Sequence, residues 1–197
     1  EYSYPANYDS ASYDPSVEWS GQCISMARIR LSDLDHPEGK ARRWDGKAFT
    51  IPYDSIGKPV ASLQIPLNQG GGPASSASGG FYWGPSVSWN SYLDCWVMLM
   101  GKVTGPSWAG NSVFISFNKN KDLGSALQSQ EWTTPRLLFE RPGYFLWYPS
   151  LQPFNSAEDI ANKNTSLRLG KKARLFIKNI KPERSDYMSM HIVEFSK

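Results

Sequence analysis

Trp83-Gly84-Pro85-Ser86-Val87 recurs 64 residues later as Trp147-Tyr148-Pro149-Ser150-Leu151, and aromatic residues precede each copy. Self-similarity at a fixed period is the mark of an architecture built from repeated supersecondary units. After the first copy, Leu93 to Met100 reads as one continuously buried strand. After the second, beyond a polar insertion from Asn155 to Gly170, Ala173 to Ile177 reads the same way. The order implied is strand, turn, strand.

A second motif repeats out of phase with the first. Ile24 to Ile29, Asp33-Leu34 and Trp44 correspond to Val113 to Phe117, Asp122-Leu123 and Trp132. Asp33 to Trp44 is 11 residues and Asp122 to Trp132 is 10. That spacing suits a strand, a polar turn opened by Asp and an outer strand carrying a packed Trp. Together the motifs define a unit of four antiparallel strands, whose complete copy is expected near 83–90, 93–101, 112–118 and 131–139. Four such strands per repeat make a β-propeller blade, so the expected fold is all-β, a propeller with about three blades in this chain. The divisions that follow are an irregular N-terminal segment (1–19), a partial blade (20–66), a Gly/Ser-rich linker (67–80), a complete blade (81–141), and a final blade with a closing strand (142–197).

Composition agrees with short strands and turns. Aromatic residues make up 14% of the chain, with 8 Trp and 10 Tyr, and Gly and Pro add 16 and 14 residues of punctuation. The net charge of +3 comes from 21 basic and 18 acidic residues scattered along the sequence, which gives no stripe for a nucleic acid backbone. No window approaches the roughly 20 apolar residues of a membrane span. The sequence starts at Glu1, which fits a processed secretory protein or a piece of a longer chain, so a secreted or periplasmic location is expected. Cys23 and Cys95 suit small buried thiols slightly better than a disulfide. His36 and His191 have no second ligand at metal spacing, and the Gly-rich tract lacks the Lys-Ser/Thr of a phosphate loop. Neither a metal nor a cofactor is expected.

At Gly84-Pro85-Ser86-Val87-Ser88-Trp89-Asn90, Val113-Phe114-Ile115-Ser116-Phe117, Trp132 and Tyr148-Pro149-Ser150-Leu151 the chain resembles five-bladed propeller glycoside hydrolases of the arabinanase and xylosidase type, and their bacterial relatives. Cys23 to Ile29 and Gly46-Lys47-Ala48-Phe49 fit the same group, so the resemblance covers roughly residues 20 to 180. It implies C-terminal blades of such a ring, with the remaining blades supplied by a missing N-terminal part or a second chain. In those hydrolases the acids project into the central funnel from the starts of innermost strands, and one is a Glu directly before a Gly-Pro pair. Here Trp83 holds that place.

Glycoside cleavage uses two carboxylates about 5 to 9.5 Å apart. Asp14 is the candidate acid, because Asp14-Pro15-Ser16-Val17 echoes the strand-start motif; Asp94 reads more readily as a buried turn anchor, and Glu131 as solvated. Trp83, Trp147 and Tyr148 stand at the starts of inner strands, where flat rings lie well against the C–H faces of a sugar or else pack between blades. Gln22 and Asn90 are candidate hydrogen-bonding partners for sugar hydroxyls. The expectation is a carbohydrate-active, glycoside hydrolase-like propeller acting on an oligo- or polysaccharide. The alternative is a non-catalytic glycan-binding or assembly module on the same fold.

Overall fold

The computed structural model describes residues 22–123, 130–181, 183 and 186–197. Strand accounts for 46% and helix for 10%, which makes the fold all-β, and the sheets are curled. The strands are β1 (Ala27–Arg28), β2 (Arg42–Trp44), β3 (Phe49–Pro52), β4 (Gly80–Asn90), β5 (Cys95–Thr104) and β6 (Ala109–Asn118). They continue with β7 (Arg136–Glu140), β8 (Phe145–Gln152), β9 (Arg168–Leu169), β10 (Lys172–Ile180) and β11 (Tyr187–Glu194). One short helix, α1 (Ala157–Ala161), lies in the Asn155–Gly170 insertion.

Three sheets result. The first has the order β1-β2-β3, the central one β7-β6-β5-β4-β9, and the last β11-β10-β8. Within the central sheet β4 to β7 form an antiparallel meander, while β9 adds in parallel to the free edge of β4.

The physical reason for this stacking is legible in β5. Cys95, Val97 and Leu99 face one way and join Val113, Ile115, Leu146, Leu175 and Ile177 in the largest buried cluster, between the central and last sheets. Trp96, Met98 and Met100 face the other way and pack with Ile24, Val60, Leu63 and Trp132. Side chains of a strand alternate between faces, so a run that is apolar at every position needs cover on both sides. The N-terminal segment supplies one cover and β8 with β10 the other. The central sheet is therefore covered on both faces, by a sheet on one side and by turns and loop segments on the other.

The expected strands at 83–90 and 112–118 are extended at their starts in β4 and β6, and that at 93–101 is shifted to Cys95–Thr104 in β5. The fourth, expected over 131–139, forms only as β7, from Arg136. Pro135 has no N–H to give to the ladder, and the preceding segment instead crosses over β6, with the Thr133 N–H donating to the Phe117 carbonyl at 2.8 Å. Trp132 is buried there, as Trp44 is in β2 against the edge of Phe49.

Two expectations change. The Gly/Ser tract over 67–80, expected as a linker, is a loop closed by a bridge between Gly71 and Gly80. Its composition reflects close approach: a Cβ on Gly79 would collide with the Pro73 carbonyl. Asp94, read as a buried turn anchor, does lie in the turn before β5 but is exposed there and pairs with Lys121 at 2.9 Å. Such exposed pairs contribute little to stability. Cys23 and Cys95 are both free and buried, and burial pushes the Cys23 thiol up to about 12, against a weaker opposing hydrogen bond to Gln64.

Because Leu99 is fully buried between two sheets, Leu99→Ala should cost about 3 kcal/mol in urea denaturation, and a loss below ~1 kcal/mol would contradict the tight packing of this layer. The β2–β3 hairpin offers a second test. The Asp45 carboxylate accepts hydrogen bonds from the Thr50 hydroxyl and the Ala48 and Lys47 N–H groups, which lower its pKa to about 2 from 3.8. A depressed carboxylate contributes stability that is present above the unfolded value and is lost as pH falls through the folded one. The Lys47 and Ala48 amides should therefore stay protected in hydrogen exchange as pH falls from 4 and open only near 2; opening near 4 would show that these bonds are not formed.

Candidate functional site

The repeated pentapeptides turn out to be repeated bulges. In β4 the register on β5 shifts between Trp83 and Ser86. In β8 the register on β10 shifts where Trp147 and Ser150 stand opposite Lys178 and Phe176. The residue before each proline has a left-handed backbone, with φ of 59° at Gly84 and 51° at Tyr148. Extra residues in one strand bend it and re-aim its side chains. Here both strands turn toward the same place, and the Ser86 hydroxyl donates to the Pro149 carbonyl at 2.7 Å, tying one bulge to the other.

Between them opens a hollow of about 750 Å³. Tyr82, Trp83, Trp108 and Tyr148 supply its aromatic wall. Gln22, Ser86 and Ser150 supply polar atoms, while Pro85 and Pro149 complete the rim. Among the described residues no charged side chain lines it. Such a space, apolar with a few polar groups, suits a small ligand or a segment of a larger one.

The rings pack edge to face, apart from the tilted Trp83–Tyr148 pair. Trp83 is the hub, with centroids 5.2 Å from Trp108, 5.3 Å from Trp147 and 5.2 Å from Tyr148. Trp108 in turn meets Phe81 at 5.1 Å and 87°. Each such pair adds about 0.5–1.5 kcal/mol beyond area burial. Trp147 thus supports Trp83 from behind, while Tyr148 stands 54% exposed in the opening. The indole N–H groups of Trp83 and Trp147 are buried without hydrogen-bond acceptors. Burial also raises the Tyr82 phenol above its ordinary value, so that side chain stays neutral.

The sequence candidates divide. Trp83, Tyr148 and Gln22 come together on the hollow, and Trp147 lies directly against it. Gln22 is buried and its side-chain oxygen accepts the Ala74 N–H at 2.7 Å, so it anchors the Gly/Ser loop as well. Asn90 is elsewhere: fully buried at the far end of β4, its amide donates to the Gly170 carbonyl at 3.1 Å and accepts the Leu93 N–H at 2.8 Å. It is a turn anchor with no face on the hollow. Asp14 lies outside the described residues. Glu131 is exposed and accepts a hydrogen bond from Asn120. Trp108 was not singled out from the sequence, because it sits at a hairpin tip outside the repeat; its φ of 53°, rare for a bulky residue, is the unusual feature it shares with Tyr148.

The class of protein that fold and site define is an all-β chain in which β4 and β8 bulge toward an aromatic-walled hollow that no charged side chain lines among the described residues. In comparisons with protein-family models, curated proteins and solved structures, nothing matches this chain.

A left-handed φ costs a non-glycine residue about 1–2 kcal/mol. Tyr148→Gly should therefore relieve strain and leave the unfolding midpoint close to that of the unaltered chain, despite the loss of ring contacts. Gly84→Ala, whose added Cβ meets nothing closer than the Tyr148 ring at 3.8 Å, should lower stability by about 1 kcal/mol from backbone strain alone. Urea titrations of both variants check this; a Gly84→Ala chain as stable as the original would mean that the first bulge is not left-handed.

Proposed function

We propose that this chain forms part of an extracytoplasmic β-propeller of glycoside hydrolase-like ancestry, and that its hollow holds an uncharged oligo- or polysaccharide without cleaving it. The observation that carries the binding reading is the wall of Tyr82, Trp83, Trp108 and Tyr148 around a space of about 750 Å³ that no charged group enters among the described residues. Flat rings suit the C–H faces of a pyranose or furanose, and Ser150 and the tyrosine hydroxyls suit its oxygens. A uronate, sulfate or ammonium group would lose its hydration here and gain no counter-charge.

Binding is favoured over hydrolysis by the same wall. Cleavage needs a protonated and an ionised carboxyl flanking the bond, and the position of the expected acid is held by Trp83, whose ring is the hub of the aromatic network. The propeller reading is supported by a four-stranded meander covered on one face by β8 and β10 and on the other by Ile24, Val60 and Leu63, and by the approach of β4 and β8 to a common hollow. It is supported too by Met188, Met190 and Ile192, exposed on the outer face of the last sheet, where a further blade from additional chain or a second subunit would cover them.

The test is titration calorimetry and affinity electrophoresis with neutral arabino-, xylo- and gluco-oligosaccharides. The expected outcome is saturable binding without release of reducing sugar, weakened about tenfold by Trp83→Ala and by Tyr148→Gly, the change expected for one lost ring contact. Equal affinity in all three proteins would remove the hollow as the site, and sugar release would overturn the non-catalytic part of the reading.

A further inference from the structure

We propose that Gly101 is the positioning residue of the hollow, the seat that fixes the Trp83 ring where a neutral glycan meets it, a role that rests on the glycan-binding reading of that hollow. Gly101 is buried inside β5, with Trp83 directly opposite on β4 and Val113 directly opposite on β6. Its φ lies outside the left-handed region, so the backbone alone gives no reason for glycine. Within a strand glycine is destabilising relative to alanine. It is found there where another group must come close.

What comes close is the hub of the aromatic wall. A Cβ on Gly101 would lie 3.3 Å from Trp83 Nε1, 3.6 Å from Trp83 Cδ1 and 3.4 Å from the Leu146 carbonyl oxygen. The five-membered edge of the indole and the backbone of β8 therefore meet over the same bare stretch of β5. An aromatic ring laid over its cross-strand glycine covers backbone that no side chain protects, a pairing that also pins register. Among the described glycines with an ordinary backbone, Gly101 alone has a ring of the hollow as its nearest neighbour.

The Trp83 N–H is buried and makes no hydrogen bond, so the place of the ring is set by shape. Gly101 lies beneath its five-membered edge, and Trp108, Trp147 and Tyr148 stand around it at 5.2, 5.3 and 5.2 Å. A methyl group at position 101 forces the indole or the β8 backbone to give by a few tenths of an ångström. A branched side chain forces more. Because Trp83 and Tyr148 both line the hollow, the displacement reaches the surface that a ligand touches, and a ring fixed in advance reduces the ordering lost on binding.

The test uses the full chain, Gly101→Ala, Gly101→Val, Trp83→Ala and the double variant Gly101→Ala/Trp83→Ala. Each is titrated with the neutral arabino-, xylo- and gluco-oligosaccharides, and each is measured by circular dichroism in the indole bands. Indoles packed this closely couple as excitons, and the difference between the unaltered chain and Trp83→Ala isolates the share of Trp83 from that of the separate Trp89–Trp96 pair. The seat predicts that this share shrinks in Gly101→Ala and is lost in Gly101→Val. Affinity falls about tenfold in Gly101→Val, the loss of one ring contact, and by a smaller factor in Gly101→Ala. In the Trp83→Ala background Gly101→Ala weakens binding no further, because the group it acts through is gone. Gly101→Ala carries the test by itself if the valine variant does not fold. An unchanged exciton signal in Gly101→Ala, or an equal loss of affinity with and without the Trp83 ring, would overturn the proposal. Failure of the glycan reading is seen separately, as an unaltered chain that binds none of the sugars while its exciton signal still responds to Gly101→Ala.

Discussion

Burial of β5 on both faces is the constraint on which this structure depends. An edge or one-sided strand alternates apolar and polar residues, but Cys95 to Met100 offers no polar side to water. Its odd and even positions therefore need separate covers, which β8 with β10 and the N-terminal segment supply. Once β5 is covered in this way, β4 and β6 follow by hairpin, and β8 lies across the face of β4, β5 and β6. Everything at the hollow hangs on that placement.

The second determinant is strain used for aim. The strands β4 and β8 are interrupted at corresponding points by a left-handed residue before a proline. At Gly84 this costs little, whereas at Tyr148 and Trp108 a bulky side chain is held where sterics disfavour it. The strained residues are the ones whose rings stand in the opening. Neighbouring contacts hold them there: the bond from Ser86 to Pro149, the edge-to-face chain through Trp83, and the Gly/Ser loop locked by Gln22. The α1 segment adds a similar restraint at the far end of β4, where a capping box between Ser156 and Asp159 sets the insertion that delivers β9.

Charge is distributed unevenly over this framework. Among the described residues no charged side chain lines the hollow, while Arg28, Arg30, Lys40 and Arg42 lie together with Asp33 at the first sheet and its turn. A net charge of +3 dispersed along the sequence conceals that contrast, since cross-strand register, not sequence proximity, places Arg28 opposite Arg42.

By itself the sequence determined the all-β class, the places of β4, β5, β6, β10 and β11, and the two pentapeptides that become bulges, because period-2 burial and proline chemistry are local. It also singled out Trp83, Tyr148 and Gln22. It did not reveal that β7 starts only after Pro135, that the Gly/Ser tract is a closed loop, or that Asn90 is used up inside a turn, since each depends on which backbone groups lie opposite. Trp108 escaped notice for the same reason: a hairpin tip 25 residues from Trp83 in sequence lies in ring contact with it only after β5 and β6 have paired. Local chemistry fixed which residues sit in strands and where those strands kink; only packing decided which kinks and rings share one space, because that depends on contacts between segments distant along the chain.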